Sequence, residues 1–322
     1  MTIDATRASS TAVGGRHRPA LEIAVTSATG AVAARDGGAD RVELCSALEL
    51  GGVTPSQGLT EAAVATGVPV HALVRCRPGG FAYDADELDV MVREIRALVR
   101  SGVAGVVVGA LRDDGSLDVE AVRWFVEAAL DAAAPHAGVT PQELAETPVR
   151  DGGSRRLPGV SPLEITVHRA VDRAADPVAA VAALAGLGVT RVLTSGGAST
   201  VGAGLASGVL ARMVEAAGDV QVMAGGGVQL GDVPALVAAR VDAVHLSAKR
   251  ARAARASSSR VDERTAGAQG AGAGAGAGAG ERTAAERRPG TVVSLGTEAR
   301  TDSWFETDPG LVRAARHALD QG

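Results

Sequence analysis

Gly38-Ala39-Asp40-Arg41-Val42-Glu43-Leu44-Cys45 is the stretch that decides the fold. An Ala-rich run of helical length, Ala28 to Asp36, ends in Gly37-Gly38, and glycine suits the left-handed conformation that closes a helix. A short strand-like segment, Arg41 to Cys45, follows at once. The same phrase recurs where Ser101-Gly102 precedes Gly105 to Val108, and where Gly186-Leu187-Gly188 precedes Arg191 to Thr194. Repetition of helix, glycine turn and short strand is the pattern of βα units around a parallel sheet.

Working outward gives eight strand segments: Leu21 to Val25, Arg41 to Cys45, Val70 to Arg75, Gly105 to Val108, Leu163 to His168, Arg191 to Thr194, Val220 to Ala224 and Ala243 to Ser247. Helical stretches between them include Ala85 to Arg100, Val119 to Ala134, Pro177 to Leu187, Leu205 to Ala217 and Asp232 to Ala239. The expectation is an α/β protein with one TIM (β/α)8 barrel, built from residues 21–248 and 291–322. A chain of 322 residues with 46% hydrophobic content accommodates that barrel with tails to spare. Residues 1–20 read as a flexible N-terminal tail, and Pro135 to Val160 as an insertion on the amino-terminal face. Residues 249–290 contain the tandem repeat of Ala271 to Gly280 and read as a disordered low-complexity insertion before a last helix, Gly310 to Leu319.

Composition excludes several functions. With 32 basic and 37 acidic residues the net charge is −5, no basic face forms, and aromatics are 2% of the chain; nucleic acid is not the expected partner. No apolar run approaches the roughly 18 residues that cross a bilayer, so no membrane partner and a cytoplasmic location are expected. Cys45 and Cys76 are too few for a disulfide framework and read as reduced, small apolar residues.

Polar side chains nevertheless stand at the carboxyl ends of successive strands: Glu22, Glu43, Arg75, Arg77, His168, Arg169, Ser195 and His245. A lone buried ion costs roughly several kcal/mol, so their repetition points to a site. Alternation places Glu22, Glu43, His71, Arg75, Thr166, His168 and His245 toward the barrel interior. Glu43 and His168 suit general acid and base work, with Asp172 in the turn after His168 to orient that ring or a substrate. Arg75, Arg77, Arg169, Glu22 and His245 would meet a small anionic molecule or a metal ion. The glycine turns Thr194-Ser195-Gly196-Gly197 and Met223-Ala224-Gly225-Gly226-Gly227-Val228 lie where barrels bind phosphate, so Ser195, Gly196, Gly225, Gly226 and Gly227 are candidate anion contacts. Glu22, Glu43, His168 and His245 also form a donor set for Zn²⁺ or Mn²⁺. The competing view is that the charges make structural ion pairs and the glycines merely serve turns. Tyr83, the single tyrosine, falls in the loop after the third strand.

Six blocks of the chain resemble the copper homeostasis protein CutC family: Leu21-Glu22-Ile23, Gly38 to Cys45, Gly51-Gly52-Val53-Thr54-Pro55-Ser56, Val167-His168-Arg169-Ala170-Val171-Asp172, Arg191 to Gly196, and Met223 to Val228. The resemblance spans about residues 21–248 and implies a TIM barrel, a cytoplasmic homo-oligomer and a role in copper homeostasis. It also implies Cu(I) as the bound metal, with Cys45 as the residue to hold it. Family members often carry a cysteine just after the first strand's Glu, where this chain has Ala24 and Val25. Two further functions stand beside that role: a barrel enzyme of lyase or isomerase type acting on a small anionic or phosphorylated molecule, and a binding or scaffold protein without catalysis.

Overall fold

The computed structural model describes residues 18–134, 163–253 and 303–321. Eight parallel strands close into a barrel in chain order: β1 (Ala20–Val25), β2 (Arg41–Leu44), β3 (Val70–Leu73), β4 (Gly105–Val108), β5 (Glu164–Val167), β6 (Arg191–Thr194), β7 (Gln221–Ala224) and β8 (Ala243–Leu246). Around it run α1 (Ala28–Asp36), α2 (Gln57–Val64), α3 (Ala85–Arg100), α4 (Val119–Ala133), α5 (Pro177–Ala182), α6 (Val201–Ala206), α7 (Val209–Ala216), α8 (Val233–Ala238) and α9 (Pro309–Gln321). The expected TIM barrel is thus the fold. No helix among the described residues is long and apolar enough to cross a membrane.

Period-2 alternation divides each strand between two environments. Leu21, Ile23 and Val25 of β1, with Val42 and Leu44 of β2, join Ala31, Ala34 and other helix residues in one apolar layer between sheet and helices. The opposite phase fills the barrel. There Cys45, Leu73 and Val107 form one small apolar cluster, and Leu193, Met223 and Ala243 form another. Local signals set the helix ends: the Ser27 hydroxyl accepts from the Gly30 amide at the start of α1, and Asp84 and Glu87 form a capping box on α3.

Two expectations change. Leu205 to Ala217 is not one helix, because Gly208 takes φ +70° and separates α6 from α7. Disorder does not begin at Lys249 either. Lys249–Ala253 forms a strand (β9) that pairs with Ser303–Thr307 (β10), whose Trp, Phe and Thr favour strand. Most of this pair belongs to a second compact unit, Arg250–Glu306. The Ala-Gly repeat, the whole Pro135 to Val160 insertion and nearly all of the N-terminal tail lie outside the described residues. At the tail's end, Arg18 pairs with Asp320 of α9, and the barrel strand begins at Ala20.

Candidate functional site

The carboxyl ends of the strands open on a cleft of about 530 Å³. Glu43, Arg75, His168, Arg169, Gly226, Gly227 and His245 line it, as do the apolar Leu73, Phe81 and Leu193. All seven polar or glycine positions were candidates from the sequence, whereas Phe81 was not. Its ring lies 5.0 Å from that of His168 and carries the Arg75 guanidinium at 5.1 Å. A lone aromatic in a loop gives no pattern by which to find it.

At the floor, three titratable groups from neighbouring strands meet. Register places Glu22 of β1 beside Arg41 of β2 and His245 of β8. Arg41 Nε donates to Glu22 Oε2 at 2.6 Å, and His245 Nδ1 lies 2.8 Å from Glu22 Oε1. Burial opposes ionisation of Glu22, but the His245 hydrogen bond and the Arg41 charge outweigh it, holding the carboxyl well below its ordinary range. Glu43, the second carboxyl, has no hydrogen-bond partner among the described residues; its nearest charged neighbour is His245 Nε2 at 3.7 Å. Burial pushes Glu43 up, the His245 charge pulls back and Glu22 adds to the rise, leaving it at about 7. For His245, burial works against the charged ring, yet Glu43 and Glu22 together hold it above its ordinary value.

His168 begins the short turn Arg169–Arg173 and accepts the Ala170 amide on Nδ1 at 3.2 Å. That lone pair is therefore occupied by the chain itself. Burial, with the Arg75 charge, pushes the ring down to about 4, so near neutral pH its proton sits on Nε2. This Nε2 is buried and has no hydrogen-bond partner among the described residues.

The turn after β6 holds a different arrangement from the one expected. Asp172 accepts from the Ser195 amide, the Gly197 amide at 2.9 Å, the Thr194 and Ser195 hydroxyls at 2.5 and 2.9 Å, and Arg169 Nε at 2.8 Å. Its carboxylate organises the turn. Ser195 is wholly buried beneath it, and Gly196 packs on α6 and α7, where a Cβ would meet Gly204 Cα at 2.9 Å. Gly225 donates to Thr194 O and lies over Leu193 and His245.

Other candidates are also placed elsewhere. Arg77 turns from the cleft to Glu87 and to the carbonyls of Gly80 and Ala82. Arg75 reaches the cleft, but its terminal nitrogens bind the carbonyls of Leu50, Gly52 and Gly79. Glu22 lies below the cleft, held by Arg41 and His245. The barrel's amino-terminal end carries a polar layer unforeseen in the sequence: Arg191 binds Glu164 at 2.8 Å and Gln221 at 2.8 Å, and His71 Nε2 lies 3.6 Å from Glu164. Its signal was a charged residue opening β2, β5 and β6.

The donor sets can be tested against metals. Ligand atoms of Glu22, Glu43 and His245 lie within 4.8 Å of one another. Both Glu22 oxygens are already engaged, however, and His168 is not in the group, so the four-residue Zn²⁺ or Mn²⁺ set does not assemble. Cu(I) seeks thiolates. Cys45 is wholly buried with Leu73 and Val107, burial pushes its thiol up, and it does not line the cleft. Cys45 does not fit a Cu(I) site.

Comparison with known proteins places this geometry. The model of the CutC family matches residues 20–140 and 157–250. A family protein CutC of Caulobacter vibrioides (strain NA1000 / CB15N) is 40% identical over 222 residues, covering 69% of this chain and 77% of that protein. One from Agrobacterium fabrum is 41% identical over 218 residues, covering 67% and 74%. Among solved structures, the copper homeostasis protein CutC from Streptococcus agalactiae superposes with a TM-score of 0.55 at 25% identity, covering 70% of this chain and 97% of that one. With two thirds of its length matched in order, including the positions of Glu43, His168 and His245, the chain belongs to the CutC family.

Proposed function

We propose that this protein serves copper homeostasis, the role for which the Streptococcus agalactiae relative is named, and that it works on a small anionic molecule by proton transfer of lyase or isomerase type. One observation carries the molecular part: Glu43 stands at the cleft with no hydrogen-bond partner among the described residues and a pKa raised to about 7 by burial. A carboxyl poised at the working pH both accepts and returns a proton. Glu43, with His245 beside it, takes a proton from carbon next to a carbonyl. His168 Nε2–H is the neutral donor for the oxygen on which charge then develops. This replaces the base role suggested for His168 by its sequence position, since its Nδ1 lone pair is already used. Arg169 and the turn after β7 hold the anionic group. A cytoplasmic homo-oligomer is the expected setting, to be checked by light scattering on the purified protein.

The test is exchange of acidic C–H groups in D2O, followed by proton NMR across small carboxylates and phosphorylated compounds. Exchange that falls at least about a hundredfold in Glu43→Gln is the expected result. Absence of exchange, or exchange indifferent to that substitution, overturns the reading. Cu(I) competition with a chelator should give the same result for wild type and Cys45→Ser; loss of tight binding in the variant would return the cysteine to the account.

A further inference from the structure

Two glycine turns follow strands at the carboxyl end of the barrel, and only the one after β7 lines the cleft. The turn after β6 has its amides taken by Asp172: the protein's own carboxylate fills the place where an anion would sit. The turn after β7 differs. The amides of Gly226, Gly227 and Val228 have no acceptor among the described residues, and all three residues line the cleft. The Arg169 guanidinium packs against Gly226, where a Cβ would lie 2.8 Å from its Cζ. Its Nε and one terminal nitrogen serve Asp172, Ser195 and Ala198, while Nη1 makes no hydrogen bond among the described residues.

We propose that the cleft takes a small carboxylate, not a phosphate ester, seated on the Gly226–Val228 amides and Arg169 Nη1. This rests on the reading of the cleft as an anion site and narrows it. Donors decide the class. A phosphate monoester brings roughly two negative charges and three free oxygens, and few side-chain donors are left to meet them: the terminal nitrogens of Arg75 are committed to three carbonyls, and Arg169 pairs with Asp172 through Nε. Glu43 adds repulsion whenever it is ionised. A carboxylate brings one charge and two oxygens, which a pair of amides and one guanidinium nitrogen can satisfy. The larger glycine cradle, with its additional hydroxyls, is closed.

The experiment is a ¹⁵N NMR titration of the full-length wild-type protein with glycolate and, separately, with inorganic phosphate. Glycolate should move the amide signals of Gly226, Gly227 and Val228, and phosphate should bind at least about tenfold more weakly. In Asp172→Ala the first cradle is vacated, so phosphate affinity should rise about tenfold or more, with shifts at Ser195 and Gly197. If that variant does not fold, the wild-type titrations decide alone. Phosphate binding as tight as glycolate, or glycolate leaving residues 226–228 unmoved, overturns the proposal. Glycolate seated there with no C–H exchange in any compound keeps this inference and removes the proton-transfer reading. Exchange confined to phosphorylated compounds does the reverse.

Discussion

His245 Nδ1 lies 2.8 Å from Glu22 Oε1, across the seam where β8 closes on β1. The other oxygen of the same carboxylate binds Arg41 of β2, so one buried group joins three strands. Glu22→Gln leaves the Arg41 charge without its partner, and breaking a buried pair in this way costs about 3–5 kcal/mol. Urea unfolding should show that loss, and an NMR titration should find the His245 pKa lowered. An unchanged midpoint would mean that the seam is held by something else.

Glu43 makes stability depend on pH in a definite direction. Its folded pKa, about 7, lies above the ordinary 4.5, so the folded state binds this proton more tightly than the unfolded one. Its contribution is complete below about 4.5 and is lost as pH rises through 7. Across that window Glu43→Gln should gain on wild type by about 1 kcal/mol per pH unit. His71 and His168, both pushed down to about 4 chiefly by burial, act the other way between about 4 and 6.5. They are common to both proteins and cancel in the difference. Parallel urea curves for the two proteins from pH 5 to 7 would contradict the placement of Glu43.

Two glycine-to-alanine changes should move stability in opposite directions. At Gly204 of α6 a Cβ would lie 1.9 Å from the Ser195 carbonyl oxygen, in the turn that Asp172 organises. Backbone cannot yield there cheaply, and a loss of about 1–3 kcal/mol is expected. At Gly58 of α2 nothing lies within 4 Å, so alanine should stabilise by about 0.4–1 kcal/mol through helix propensity and a less disordered unfolded chain. Thermal unfolding of both variants checks the pair.

The two cysteines should react at different rates. Cys45 is wholly buried and its thiol is pushed up, by burial first and then by the Glu43 and Glu49 charges. Cys76 is partly exposed. A thiol reagent added to native protein should label Cys76 first, and Cys45 only on the timescale of unfolding. Equal rates would show Cys45 to be accessible.

Much of the site was legible because strand alternation is a local property. Glu43, Arg75, His168 and His245 face the barrel interior as a two-residue period requires, and each lines the cleft. Arg77 lies past the reach of that alternation. β3 ends at Leu73, Arg75 is the last residue to keep its inward phase, and beyond it a loop sets direction. Glu87, ten residues away on α3, then draws the guanidinium outward. Ser195 and Gly196 carry the phosphate-cradle pattern, and nothing local reveals that Asp172 has closed it.

The sequence by itself determined the order of helices and strands, the glycine turns between them and the residues that point inward, since each depends on neighbours a few positions away. Tertiary structure alone decided which charges neutralise one another and which remain available. Glu22 and His245 are 223 residues apart, and Asp172 and Gly197 are 25 apart. A buried polar group takes whichever partner barrel closure brings within about 3 Å, and that is a property of the closed sheet, not of any segment within it.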